Sequence, residues 1–305
     1  MRLYILLLAV AVSGAFAGEA RIGIPRLGYM WNSGPGELQS VEGIPGAAWI
    51  SASMRLDRNL QTAVVSARQN YLLGITESGE LVSAKFDLQG STAALLPSAT
   101  NVTLSAGGTA AAAYSQVDQA IVVWTGMPDN PSAHRIGLTG IDGDLSALAV
   151  SDDGGHVLAT FQREGMGALY HFHENEIELV AKLKAPIAAF LPGRHTAIVA
   201  DSSSGDVFAM RKSLEFVTTQ STTITAVAAS ADGTRLFLAT PAGIRVIGLD
   251  GTGDMELQCG CSPATLERSN EANLFRLTDA ARGTLWFFDG RLGKERTFFV
   301  PREVR

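Results

Sequence analysis

Only two cysteines occur in 305 residues, one residue apart at Cys259 and Cys261, which excludes a fold stapled by several disulfides. Histidine is also scarce, with five residues, and only "YHFH" places two close together. No stretch concentrates Lys and Arg: 24 of them stand against 30 Asp and Glu, a net charge of −6. Nucleic acid is therefore excluded as an expected partner, because phosphate binding needs a basic face. Beyond the first twenty residues, no uncharged apolar run approaches the ~20 residues that a spanning helix needs. The chain also lacks a Gly-x-Ser-x-Gly elbow, a phosphate-cradling Gly loop and any long amphipathic helical run.

What is there begins with "MRLYILLLAVAVSGAFAGEA". One Arg precedes an apolar run from Leu3 to Val12 and a small-residue site at Ala15-Phe16-Ala17. This is the layout of a secretory signal, too short to span. Residues 1–17 are read as that signal and 18–305 as one exported domain, periplasmic or extracellular, with no membrane span after cleavage. No cysteine follows the run, so a lipid anchor is not expected.

The mature chain is repetitive. "DLSALAVSDDGGHVLATFQREGMGALYHF" lies over "TITAVAASADGTRLFLATPAGIRVIGL": an alternating apolar segment, a Ser-x-Asp-Gly turn, a second apolar segment, a Gly-containing turn and a third. Asp-Gly suits a tight turn because Gly tolerates positive φ. Weaker copies start at Asn101, Pro186 and Ala264, and polar fourth segments such as "EIELVAKLK" close the units. Units are read as opening near Ala47, Asn101, Leu145, Pro186, Ile224 and Ala264. A period of about 40 residues with four short strands describes a β-propeller blade. Six full blades follow from this count. The leading pair "RLGYMWNS" and "ELQSVEG" is read as the outer half of a seventh, closed by strands from both chain ends. The fold class is thus an all-β propeller of four-stranded blades, seven with one incomplete, or alternatively six.

The segments "SADGTRLFLAT" and "SDDGGHVLAT" resemble the hallmark of YVTN-type and WD-repeat-like propellers, without the WD dipeptide. From "LGYMWNSGPGELQSVEGIPGAA" to "CGCSPATLERSNEANLFRLTDAARGTLWFFDG" the chain also resembles an exported propeller family of acidobacteria. The resemblance implies the fold and export, and it carries no activity.

In a propeller the first strand of each blade lines the central channel. The expected inner strands, "AAWISASM", "NVTLSA", "LSALAVS", "PIAAFL", "TITAVAAS" and "ATLERS", hold only two charges, Glu267 and Arg268. A metal-dependent propeller hydrolase would want several converging carboxylates or imidazoles there. The loops around the channel mouth are richer. They hold Asp142, Asp144, Glu164, Asp201 and Asp279, with Glu77, Asp118, Asp206, Arg163 and Arg282 nearby. This acidic rim could attract a cation or a basic partner, although acids are also common in turns for local hydrogen bonding.

Other motifs are weaker. "DGTGDME" spaces Asp250, Thr252 and Asp254 like oxygen ligands, but Met255 stands where a calcium loop needs Gly, so a plain turn is expected. His171 and His173 would share one strand face, yet no third ligand is evident and no metal site is expected. Trp124 and Trp286 are placed on third strands and Trp49 on an inner one.

Four readings apply to "LQCGCSP", which the repeat places in a crossing between blades. Zinc would need further ligands. A thioredoxin-like pair would want two intervening residues. Free thiols and a local Cys259–Cys261 disulfide remain, and the disulfide is preferred. Extended chain sets the Cα atoms about 6.6 Å apart, near the limit for bridging, and a bend at Gly260 would shorten this.

The functional expectation is an exported, non-catalytic, monomeric propeller that binds a protein or other envelope partner through its loop face, with no cofactor. The alternative is a propeller enzyme, or a small-ligand or metal binder, using the acidic mouth.

Overall fold

The computed structural model describes residues 25–301, apart from 87–89, 175, 271 and 279–282. Among the described residues there are seven antiparallel sheets and no helix. Six sheets have four strands in simple chain order, and the first has three: Arg26–Asn32, Glu37–Ile44 and Ala47–Met54. The first strands of the sheets begin at Arg26, Leu60, Asn101, Asp144, Pro186, Ala226 and Glu267 and stand side by side around a central channel. The fold is a seven-bladed β-propeller with one incomplete blade.

The incomplete blade is built differently from the expectation. Arg26–Asn32 is its inner strand, not part of an outer half, and Ala47–Met54 is its outermost. The last described strand, Arg296–Val300, pairs with Leu285–Asp289 in its own blade, so among the described residues no sheet combines the first strands with the last. Blade two opens at Leu60, not Ala47. The alternation in "AAWISASM" marks a half-buried strand and says nothing of its place in the sheet. The turn after Leu60–Val65 reads Ser66-Ala67-Arg68-Gln69 without Asp-Gly, and Gln69 itself takes φ +57°.

Burial follows strand position. The second strands Tyr71–Thr76, Ala110–Ser115 and Ala197–Asp201 are buried throughout, because neighbouring blades cover both faces of each sheet. Outer strands such as Ser132–Gly137 and Glu176–Leu183 face water and carry the polar residues.

The Ser-x-Asp-Gly turns show why that pattern recurs. Ser151 and Ser230 are fully buried, and each Oγ accepts from main-chain amides across the turn: His156 N at 3.0 Å for Ser151, Arg235 N at 3.0 Å for Ser230. The same hydroxyls donate to Asp153 and Asp232, at 2.6 and 2.5 Å. Gly154 and Gly233 supply the positive φ that closes the turn.

These turns also bind the ring together. The Asp152 carboxylate accepts from Gly107 N in blade three and Gly193 N in blade five, both at 2.6 Å. Arg194 donates to the Asp232 carbonyl, Ala231 N to Asn273, and the Tyr71 hydroxyl to the Gly108 carbonyl. A hydrogen-bonded girdle thus runs from blade two to blade seven at one end of the channel.

Candidate functional site

The channel encloses a cavity of about 270 Å³. Six inner strands line it with short side chains, among them Thr103, Ser105, Ala149, Ala188, Ala228 and Thr265, and with Glu267 and Arg268 as its charges. Five of the six expected inner strands are therefore in place. The exception is "AAWISASM", which removes Trp49 to the edge of blade one. Trp124 and Trp286 do lie on third strands.

Both channel charges are engaged. Glu267 accepts from Arg276, whose Nε is 3.0 Å away, and the same Arg276 donates to the Trp31 carbonyl at 3.0 Å. The other Glu267 oxygen lies 3.5 Å from Val65 N in blade two. This one carboxylate thereby ties blade seven to blade two past the narrow blade one. Arg268 donates to the Ala229 carbonyl of blade six and lies over the Phe275 ring, 4.7 Å from its centroid. Burial pulls its pKa down to about 10, against the pull of Asp152, so it stays charged at neutral pH. Sequence reasoning found Glu267 and Arg268 but missed Arg276, whose signal was its register opposite Glu267.

The rim acids do not converge. Asp142 pairs with Arg163 at 3.0 Å, and Glu164 lies 3.6 Å from the same guanidinium. Glu164 holds φ +51° ahead of Gly165, so the turn presents an exposed carboxylate on strained backbone. Asp144 opens the inner strand of blade four and is exposed. Asp201 is buried and accepts from Lys184 N, Ala185 N and Ser203 N, so it shapes a crossing loop. Asp118 and Asp206 hydrogen-bond to Ser115 and Ser204, while Asp279 and Arg282 lie outside the described residues. Asp250 accepts from the Thr252 amide and hydroxyl and Asp254 pairs with Arg245, a turn of its own making.

Cys259 and Cys261 lie in the crossing from blade six to blade seven. Their Cα atoms are 5.1 Å apart and their sulfurs are in bonding contact. The pair packs into an apolar cluster with Leu257 and Trp286.

The histidines hold a feature that sequence reasoning missed. His156 and His195 join His171 and His173 at the opposite end of blade four from Asp142 and Glu164. Hairpin register was the available signal: a two-residue turn at Glu164-Gly165 sets His156 opposite His173.

The fold is shared with many solved structures, three of which illustrate the likeness. The Cps50 (Swd1) β-propeller domain of Myceliophteria thermophila matches with a TM-score of 0.57 at 12% identity, over 86% of this chain and 96% of that one. The likeness is one of fold. A Bacteroides fragilis protein provisionally assigned as a 6-phosphogluconolactonase gives 0.59 at 14% identity, covering 90% and 92%. A protein of unknown function from Desulfotomaculum acetoxidans gives 0.60 at 12%, covering 92% and 100%. No family model and no curated protein matches the chain, so the YVTN-type and acidobacterial resemblance rests on the repeat residues alone.

Proposed function

We propose that this chain is an exported propeller that acts as a binding scaffold, engaging a protein or other envelope partner through the rim formed by the turns between second and third strands and by the crossings between blades. One observation carries the reading: the channel charges are engaged in cross-blade bonds, whereas the rim presents Asp142, Arg163 and Glu164, paired only with one another, in exposed turns. A carboxylate held at positive φ costs about 1 kcal/mol or more, and such a position is cheaper for Gly. Propellers serve widely as such scaffolds, and fold alone does not name the partner. The signal-like N-terminus supports export, and so does the joined Cys259–Cys261 pair, since disulfides persist in oxidising compartments.

The test is a crosslinking pulldown from the native envelope with wild-type protein and a charge-reversed Asp142→Lys/Glu164→Lys variant. A specific partner recovered only by the wild type supports the reading, and equal recovery or none overturns it. N-terminal sequencing of the envelope protein is expected to begin at Gly18. Mass spectrometry without reductant is expected to find neither cysteine alkylated.

A further inference from the structure

Four of the five histidines gather on the face of blade four that looks toward blade five. The second and third strands of blade four set His156 opposite His173 and Leu158 opposite His171. The third and outer strands set His171 opposite Glu178 and His173 opposite Glu176. Residues at alternate and opposed positions share a sheet face, so three imidazoles and two carboxylates project together. From blade five, the turn before Ala197 brings in His195, whose ring centroid is 4.1 Å from that of His156 and whose Nε2 is 2.6 Å from Asp153.

Packing does not call for an imidazole at His171. By strand register its counterparts are Ala209, paired with Ile198 in blade five, and Val246, paired with Phe237 in blade six, all of them in apolar seams between blades. Blade four puts an imidazole where blades five and six put hydrocarbon. His171 is buried, its Nε2 lies 3.0 Å from His156 Nδ1, and its ring centroid is 4.5 Å from that of His173. One ligand atom from each of His171, His173 and Glu178 lies within 4.8 Å of the other two. Ligand atoms around a single ion, at ~2.0–2.2 Å from it, stand about 3.3 Å apart. Closing that gap requires rotation of the exposed Glu178 and the half-buried His173.

We propose that His171, His173 and Glu178 form a binding site for a divalent late transition-metal ion such as zinc, nickel or copper. Two imidazoles and one carboxylate suit that class, whereas calcium and magnesium prefer an all-oxygen shell. His156, within hydrogen-bond reach of His171, orients that ring as an outer-sphere partner does in metal sites. The solvent side, where Glu178 is exposed, leaves coordination positions open to water or an exogenous donor. This site is independent of the rim reading and lies at the other end of the blade.

The experiment titrates tag-free, chelator-treated protein with Co²⁺, read by visible absorption, and with Zn²⁺, read by calorimetry. One ion per chain is expected to bind, with at least a tenfold loss of affinity in His173→Ala and in Glu178→Gln. His134→Ala, on the outer strand of blade three, is expected to bind as the wild type does. Circular dichroism checks that each variant is folded, and both ligand substitutions are at solvent-accessible positions. Absence of saturable binding up to millimolar ion, or wild-type affinity in either ligand variant, overturns the proposal.

Discussion

Glu267 and Arg276 show how much a single pair of side chains can do in a ring. Their side chains are about 20% and 11% exposed, and between them they reach Val65 N in blade two and the Trp31 carbonyl in blade one. Removing one partner of such a pair leaves the other buried without compensation, which is worse than lacking both. Glu267→Gln is therefore expected to lose roughly 2–3 kcal/mol, in the range for broken buried pairs discounted for partial exposure. A Glu267→Gln/Arg276→Met double variant is expected to lose less than the sum of the two single changes. Urea unfolding of the four proteins measures the coupling; additivity within about 0.5 kcal/mol would place the stability elsewhere. The sequence disclosed Glu267 as a channel charge, since it broke a run of Ser, Thr and Ala. It could not disclose the Trp31 carbonyl as a terminus of the same network, because that contact joins strands at opposite ends of the chain.

At the scale of the strand and turn, two repeated positions have separate physical causes. In the turn between second and third strands of blade five, Gly205 holds φ +81°, and a Cβ there would stand 2.0 Å from the Gln220 carbonyl oxygen. Gly193 also has positive φ, at +64°, but nothing lies within 4 Å of its Cβ position. Gly193→Ala is expected to cost about 1 kcal/mol, from backbone conformation alone. Gly205→Ala is expected to cost clearly more, about 3 kcal/mol, because backbone must move as well. Equal losses in thermal unfolding would show that the crossing yields freely. The Asp of the Ser-x-Asp-Gly turn has an electrostatic role. The Ser230 hydroxyl, opposed by burial and helped by the Thr234 amide and hydroxyl and by Arg235, holds the Asp232 carboxyl below its ordinary value. A depressed folded pKa gives stability that is present above the unfolded pKa near 3.8 and is lost as pH falls through the folded one. Asp232→Ala is thus expected to have a lower urea midpoint than wild type at pH 6, with the gap narrowing by pH 3; a gap independent of pH would make the turn's contribution steric. The turn was legible in the sequence because its residue types are dictated locally. Hairpin register was equally legible: the turn at Glu164-Gly165 fixes His156 against His173, and the antiparallel pairing of the third and outer strands sets His171 against Glu178. Reading the histidines along one strand, without that register, left the third ligand unseen. Strand order within blade one was not legible, because "AAWISASM" alternates as any half-buried strand does.

For the whole molecule the narrowest blade is the one that closes it. Blade one has three strands instead of four, yet it supplies one half of two apolar seams. On one side Leu27, Met30, Val41 and Ile50 pack with Leu274, Phe287 and Phe298 of blade seven, and on the other Trp31 and Leu38 pack with Leu60, Leu72 and Val82 of blade two. Each large side chain buried in these seams contributes about 1.5–3 kcal/mol, so exposing several of them at once is large against the ~5–15 kcal/mol net stability of an ordinary domain. A propeller differs from an open solenoid in this respect: a solenoid loses one terminal repeat and keeps the rest, whereas a ring that loses a blade exposes two inner faces at once. It also loses the anchor for Arg276 on the Trp31 carbonyl and the contact of the Tyr29 amide with Gln69. A chain beginning at Asp57 is therefore expected to show no cooperative thermal transition, to bind an apolar dye and to aggregate. Supplying residues 18–56 as a separate chain during refolding is expected to restore a cooperative transition, because the missing faces are complementary and the crossing at 55–59 contributes little burial of its own. A truncated chain that melts cooperatively as a monomer would mean that six blades can close by themselves, and that blade one is an addition to the ring and not its lock.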